Sequence, residues 1–278
     1  MTDTIATIGR SIVHHGPLNQ RVYLMTLHPE DVPLIVAQLY ELASMKGYSK
    51  ILARISIAME AVFKKAHYIK EATIPGYSVS GEDLLFMSRF LGETRSREYH
   101  PDRIAQNFTF IENDSGQNYG AGTGFPTIRQ CGQSDCSEMA LIYRQVFASY
   151  PFPVDDPDYL ADTMASHTRY FCITEKDRIV GLSGGEMDID NLAVEMTDFA
   201  VVPEMRGRGL GAYLLAGMEQ DMRSRGIRTA FTISRTLSPG MNLIFKRANY
   251  NWGGTLVNNT HISGGIESMW VWHKRLED

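Results

Sequence analysis

The stretch Arg206-Gly-Arg-Gly-Leu-Gly211 has the residue types and spacing that most directly specify chemistry. Glycines at 207, 209 and 211 let main-chain N–H groups approach an anion with no side chain in the way. The apolar stripe Leu210, Leu214, Leu215, Met218 and Met222 predicts a helix over 210–225 that starts inside this stretch. The first turn of such a helix has unpaired N–H donors at its positive dipole end. Turn and helix start together form a cradle for a diphosphate, and Arg206 and Arg208 add positive charge. A dinucleotide fold is the rival, because Gly207, Gly209 and Ala212 satisfy G-x-G-x-x-A. That fold expects an acidic residue about 20 positions on, at the end of the next strand. Thr232, Ile233 and Ser234 stand there instead, and the preceding strand VEMTDF is too polar to be buried on both faces.

The strand that leads into the turn carries Glu195 and Asp198. Alternation places Glu195, Thr197, Phe199 and Val201 on one face, a facing that a bulge would change. His14 and His15 are adjacent on a predicted strand and so point to opposite faces, which argues against a shared metal ion. Cys131, Cys136 and Cys172 are an odd, scattered set, read as free thiols in a reducing compartment.

The elements that must position these groups follow from periodicity and breakers. In the first half, strands are expected at 11–15 and 21–27, a helix over 32–46 closed by Gly47, a strand from Lys50 to Arg54 and a helix from about Ala58 to His67. Strand-like EATIPGYS and DLLFMSRF complete it. Residues 112–134 are rich in Gly, Ser, Asn and Gln and read as a linker. The domains expected are therefore 1–112, a linker over 113–133, and 134–278. The second domain should hold a helix over 134–149, a short helix after YPFPVDDPDY, and strands at 170–174, 179–187 and 193–202. After the turn and its helix come a strand at 228–234, a helix over 240–248, and strands near 254–258 and 268–273. The halves resemble each other: Phe63, Ala66, Tyr68 and Thr73 correspond to Phe245, Ala248, Tyr250 and Thr255, each 182 residues on. The N-terminal copy looks like only the second part of the unit and lacks the glycine turn.

The chain has 278 residues and a net charge of -5, with 27 basic against 32 acidic residues, so no basic face for nucleic acid or a membrane surface is expected. No stretch approaches the roughly 20 apolar residues of a spanning helix. The start of the chain does not read as a signal peptide, so a cytoplasmic protein is expected.

The string R-x-x-G-x-G between a strand and a helix, here Arg206, Gly209 and Gly211, resembles the acetyl-CoA motif of the GNAT superfamily, and the element order of 134–278 matches that superfamily. The resemblance implies an α/β fold with a mixed sheet: a C-terminal GNAT domain preceded by a degenerate, half-GNAT-like N-terminal domain. It implies acetyl-CoA as co-substrate and no metal. The main chain of 206–211, Leu210 included, would hold the diphosphate. The strand from Phe199 would pair with pantetheine, Val201 N–H would polarise the thioester carbonyl, and Asn242 would contact pantetheine or CoA. Glu195 resembles the strand glutamate that serves as general base, with Asp198 as the competing acid. Phe245 stands where a tyrosine general acid is common.

The likeness is closer still for RSIVHHGPLNQRVYLMTL, YSKILARI, EATIPGY, YPFPVDDPDYL, VEMTDFAVVPEMRGRGLG, SPGMNLIFKRANY and GGTLVNNTHISGGIE, which together resemble the β-lysine N-acetyltransferase family over nearly the whole chain. That resemblance implies a small diamino acid as acceptor, acetylated on its terminal amine to give Nε-acetyl-β-lysine, a compatible solute made under osmotic stress. By the same analogy the amine enters between the 150–158 and 258–265 loops. Asp155, Asp156, Glu186 and Asp188 are then candidate ammonium partners, and Arg235, Asn258 or Asn259 candidate carboxylate partners. A polyamine or protein lysine is the alternative acceptor. A non-catalytic acyl-CoA-binding module is the alternative function, and Phe245 is its best support. A homodimer is compatible with the sequence.

Overall fold

Ile51-Leu-Ala53 and Ile55 give the run Lys50–Ser56 apolar side chains on both faces, as a strand covered on both sides requires, and it forms β4 (Lys50–Ser56) at the centre of the first half. The computed structural model describes residues 3–116 and 126–276. Around β4 lie β1 (Thr4–Ile8), β2 (Ser11–Gly16), β3 (Arg21–Thr26), α1 (Val32–Lys46), α2 (Glu60–Lys65), β5 (Ile69–Ile74) and β6 (Leu84–Phe90). After α3 (Pro101–Glu112), the second half holds β7 (Ile128–Gln130), α4 (Cys136–Val146), α5 (Pro157–Ser166), β8 (Thr168–Glu175), β9 (Arg178–Asp188) and β10 (Ala193–Val201). It ends with α6 (Leu210–Ser224), β11 (Thr229–Arg235), α7 (Pro239–Arg247), β12 (Asn251–Ile262) and β13 (Gly265–Arg275). No helix among the described residues is long and apolar enough to cross a membrane.

One mixed sheet runs through both halves in the order β1-β2-β3-β4-β6-β5-β12-β13-β11-β10-β9-β8-β7. In the first half β3 pairs parallel with β4, then β6 and β5 follow antiparallel; in the second, β10, β11, β13 and β12 repeat those relations. The copies also share local packing. Phe63 and Tyr68 meet edge-on at 5.0 Å, and Phe245 and Tyr250 do so at 5.1 Å. The first copy is thus more than the expected half: it has the strands β1–β6 and the helices α1 and α2, and lacks counterparts of α4 and α5. Its turn into α1, Leu27-His-Pro-Glu-Asp31, has no glycine and places Glu30 and Asp31 at the helix start, where they repel an anion.

The copies join where β5 meets β12 through the pair Gly254↔Ala72. These positions are 182 residues apart, the offset of the repeat itself, so equivalent edges face each other across a pseudo-twofold axis. A Cβ at Gly254 would sit 2.2 Å from the Glu71 carbonyl oxygen, so the crossing requires glycine.

Several expectations need correction. Residues 101–116 are not the tail of the first domain. Phe108 packs edge-on against Trp252 and Trp270, each at 5.6 Å, and Asp114 pairs with Arg247 at 2.7 Å, so α3 joins the second half. In the composition-based linker, residues 128–130 form β7 on β8, while 117–125 lie outside the described residues. The last two strands are far longer than expected and form one hairpin.

That hairpin carries the main polar contact between the copies. β12 breaks register between Leu256 and Thr260, and the carbonyls of the displaced residues each receive a cation from the first half. Lys50 donates to Val257 O at 2.7 Å, Arg95 to Asn258 O at 2.7 Å and Arg21 to Asn259 O at 2.8 Å. Glu71 is the counter-charge: it pairs with Lys50 at 2.8 Å and accepts from Val257 N–H at 2.8 Å, and both side chains are buried. Glu71→Gln strands the buried ammonium and is expected to cost about 3–5 kcal/mol of stability, read as a lowered urea midpoint.

Candidate active site

β10 sets the geometry. Its register on β9 shifts between Thr197 and Ala200, a bulge centred on Asp198, whose φ of 57° lies in the left-handed region that Asp tolerates better than most residues. On its other edge β10 pairs with β11 only from Ala193↔Thr229 to Glu195↔Phe231. Beyond that pair the two parallel strands separate and leave a wedge with main-chain groups along both sides. Val202 N–H donates to Val180 O on the β9 side at 3.1 Å, so alternation turns Val201 N–H toward the wedge.

The glycine turn lies at the same end of the sheet. Gly207 and Gly209 have φ of 78° and 74°, values that strongly favour glycine, and Gly209 occupies the N-cap of α6. The first internal bond of α6 runs from Ala212 N–H to Gly209 O at 3.0 Å, which leaves the Leu210 and Gly211 amides as the outward donors of its first turn. Arg206 and Arg208 are exposed beside them; Arg206 Nε donates to Val201 O at 3.3 Å, and Arg208 pairs with Glu175 at 3.2 Å. Gly211 serves packing: a Cβ there would meet Ile244 of α7 at 2.9 Å.

A cavity of about 230 Å³ opens on β10, β9 and β11. Glu195 and Glu186 are cross-strand partners there, and Asp198 completes a group of three carboxylates. Burial raises the proton affinity of all three, and like charge adds to it for Glu186 and Glu195. Glu195 is pushed up to about 7 by burial and by Asp198, against the opposing field of Arg54. Glu186 rises well above the usual carboxylate range through burial and the charges of Glu195 and Asp198. Asp198 is also raised by burial, although Tyr150 donates to it at 2.5 Å and Thr197 at 3.1 Å. Phe245, buried edge-on against Phe199 at 5.7 Å, lines the cavity and offers no proton.

Several predicted ligands have other work. Asn242 is buried, and its amide is saturated: Oδ1 accepts from Ser234 and Trp272 at 2.5 and 2.8 Å, while Nδ2 donates to the carbonyls of Arg235 and Ser238 at 2.8 Å each. It locks α7 to the sheet and has nothing left for a cofactor. Asn258 is likewise buried, binding the carbonyls of Arg95 and Arg97 and the amide of Tyr99. Asn259, buried in the same displaced segment, donates to Thr260 Oγ1 at 3.1 Å. Asp156 caps α5 through Asp158 N–H, and exposed Asp155 lies 3.6 Å from Arg144; neither lines the cavity. Asp188 is held by Tyr77, Asn191 and Arg54 on the far side of Arg54 from the cavity. Arg235 does line the cavity, but Glu267 holds it through two bonds of 3.0 and 2.7 Å. His14 and His15 are separated as expected, His14 against the Phe152 ring and His15 beside Tyr48.

The first copy supplies lining residues that motif reasoning missed: Tyr23 and Met25 of β3 and Arg54 of β4. The signal available was Arg54 itself, a charge inside the apolar run ILARI.

A family model, Acetyltransferase (GNAT) family, matches residues 138–241, from α4 through the glycine turn into α7. The chain is 36% identical over 275 residues to beta-lysine N(6)-acetyltransferase of Methanococcus maripaludis, covering 99% of this chain and 100% of that one. It is 28% identical over 269 residues to N-acetyltransferase YodP of Bacillus subtilis, with 96% of each chain covered. It is 29% identical over 264 residues to beta-lysine N(6)-acetyltransferase of Methanosarcina mazei, covering 87% of this chain and 97% of that one.

Proposed function

The chain belongs to the family of the β-lysine N(6)-acetyltransferases, with a GNAT domain in its second half, and on that premise we propose that it acetylates the terminal amine of β-lysine. Acetyl-CoA, when bound, supplies an activated acetyl thioester. The residues present fit it. The 207–211 turn and the Leu210 and Gly211 amides suit its diphosphate, with Arg206 and Arg208 alongside. The main chain of Phe199–Val201 offers an extended edge to a pantetheine arm, and Val201 N–H would donate to a thioester carbonyl oxygen in the wedge, a bond that strengthens with negative charge on that oxygen.

Glu195 takes the proton that an ammonium must lose before it can attack. A base of pKa near 7 suits that task at neutral pH. The C–N bond then forms as the thioester C–S bond breaks, and the departing CoA sulfur takes its proton from solvent, because Phe245 has none to give. Glu186 and Asp198 hold the acceptor's cationic groups. The observation that carries this reading is the position of Glu195: it lies in an acidic cavity, in the last residue pair before β10 and β11 separate. β-Lysine loses one positive charge on acetylation, and the resulting neutral zwitterion suits a compatible solute. Acetyl-CoA as co-substrate favours a cytoplasmic setting.

Release of free CoA thiol tests the proposal with β-lysine, a polyamine and a lysine-bearing peptide as acceptors. Turnover with β-lysine is expected. Turnover with the peptide or polyamine alone refutes the acceptor, and binding of CoA with no turnover on any amine favours an acyl-CoA-binding module instead.

A further inference from the structure

We propose that Arg54, contributed by the N-terminal copy, reads the acceptor's carboxylate and makes the cavity selective for an amino acid over a plain diamine. The proposal rests on the acceptor cavity assigned above. Beside the three carboxylates, the cavity has two cations in its wall, Arg54 and Arg235. Arg235 is committed, since Nε and Nη2 both bind Glu267. Arg54 donates through Nη2 to both the Tyr77 hydroxyl and Asp188, the latter at 3.2 Å. A guanidinium carries five N–H donors in a planar fork, so the Nε and Nη1 side keeps donors for a second carboxylate.

The group is also held in place. Its Cζ lies 5.3 Å from the Tyr77 ring centroid and 5.6 Å from that of Phe231. Phe231 is the cross-strand partner of Glu195, so the stacking fixes the guanidinium beside the base. Asp188 behind it is anchored by Tyr77 at 2.8 Å and Asn191 at 3.0 Å, and the Arg54 side chain is only 21% exposed. A carboxylate bound there would meet a pre-oriented, largely desolvated cation, the setting in which a charge pair discriminates strongly. Charge balance points the same way. The acidic cluster suits the acceptor's amino groups, and its carboxylate needs the cation. The N-terminal copy, which has no glycine cradle of its own, would thus act as the specificity wall of its partner.

The test compares kcat/KM for β-lysine and for 1,4-diaminopentane, the same diamine without its carboxylate, in wild type, Arg54→Gln and Arg54→Lys. Wild type should prefer β-lysine. Arg54→Gln should reduce that preference by about 10²-fold, mainly through KM for β-lysine, and Arg54→Lys should restore part of it. A merely structural arginine would lower both substrates together and leave the ratio unchanged, which overturns the inference. So does a wild-type enzyme that accepts both equally, a result that needs no variant. Turnover of the diamine alone, or of neither compound, defeats the acceptor assignment itself and the inference with it.

Discussion

Glu195→Gln is expected to lower kcat by about 10²–10⁴-fold, the usual contribution of a positioned general base, with the affinity for acetyl-CoA unaltered. The substitution keeps the side chain's size and removes its ability to accept a proton. The pH profile gives a second readout. The ionised carboxylate is the active form, and burial together with Asp198 pushes Glu195 up to about 7. Activity should therefore rise with pH through about 7 in wild type, and that limb should vanish in the variant. Because Glu186, Glu195 and Asp198 interact, the limb reports the group rather than one residue. Steady-state kinetics across the neutral range would check both points. An unchanged kcat in Glu195→Gln, with loss in Asp198→Asn, would move the base to Asp198.

Gly209→Val is the second large expected effect. Gly209 has φ of 74° at the N-cap of α6, and a β-branched residue there is strongly strained. The turn can relax only by swinging the 207–211 main chain out of its anion-facing arrangement. The affinity for acetyl-CoA is expected to fall by on the order of 10²-fold or more, since in the proposed reading the diphosphate is held by main-chain amides, which a neighbouring side chain cannot replace. The turn is exposed at Arg206–Arg208, so the fold should survive. Titration calorimetry with acetyl-CoA reads the change. Full affinity in the variant would place the diphosphate elsewhere.

The parts of the molecule governed by local rules were legible in the sequence. α1 and α6 follow from their apolar stripes and from Gly47 and Gly226, which have φ of 67° and 76° just past the helix ends. The glycine turn, its helix and the strand carrying Glu195 lie where the motif put them. The repeat was legible from aromatic and alanine positions, but not its extent, because β1–β3 share no such markers with β8–β10.

What stayed hidden depends on partners distant in the chain. Val257-Asn-Asn-Thr260 looks like loop chemistry, and Asn258 like a ligand, until Arg21 and Arg95 arrive from 238 and 163 residues away to satisfy its carbonyls. Asn242 reads, by resemblance, as a cofactor contact, and only β11 and β13 reveal it as a saturated internal lock. Arg54 belongs to the half without a motif. Its role emerges only when the joined sheet sets β4 beside Phe231 and Glu195.

The most direct measurement follows the acetyl group itself. Incubation with carbon-13-labelled acetyl-CoA and β-lysine, followed by NMR of the product, should show the label on the terminal nitrogen, with the β-ammonium and the carboxylate unmodified. Label confined to the β-nitrogen, or no labelled β-lysine from protein that binds acetyl-CoA, would contradict a cavity that presents the terminal amine to Glu195.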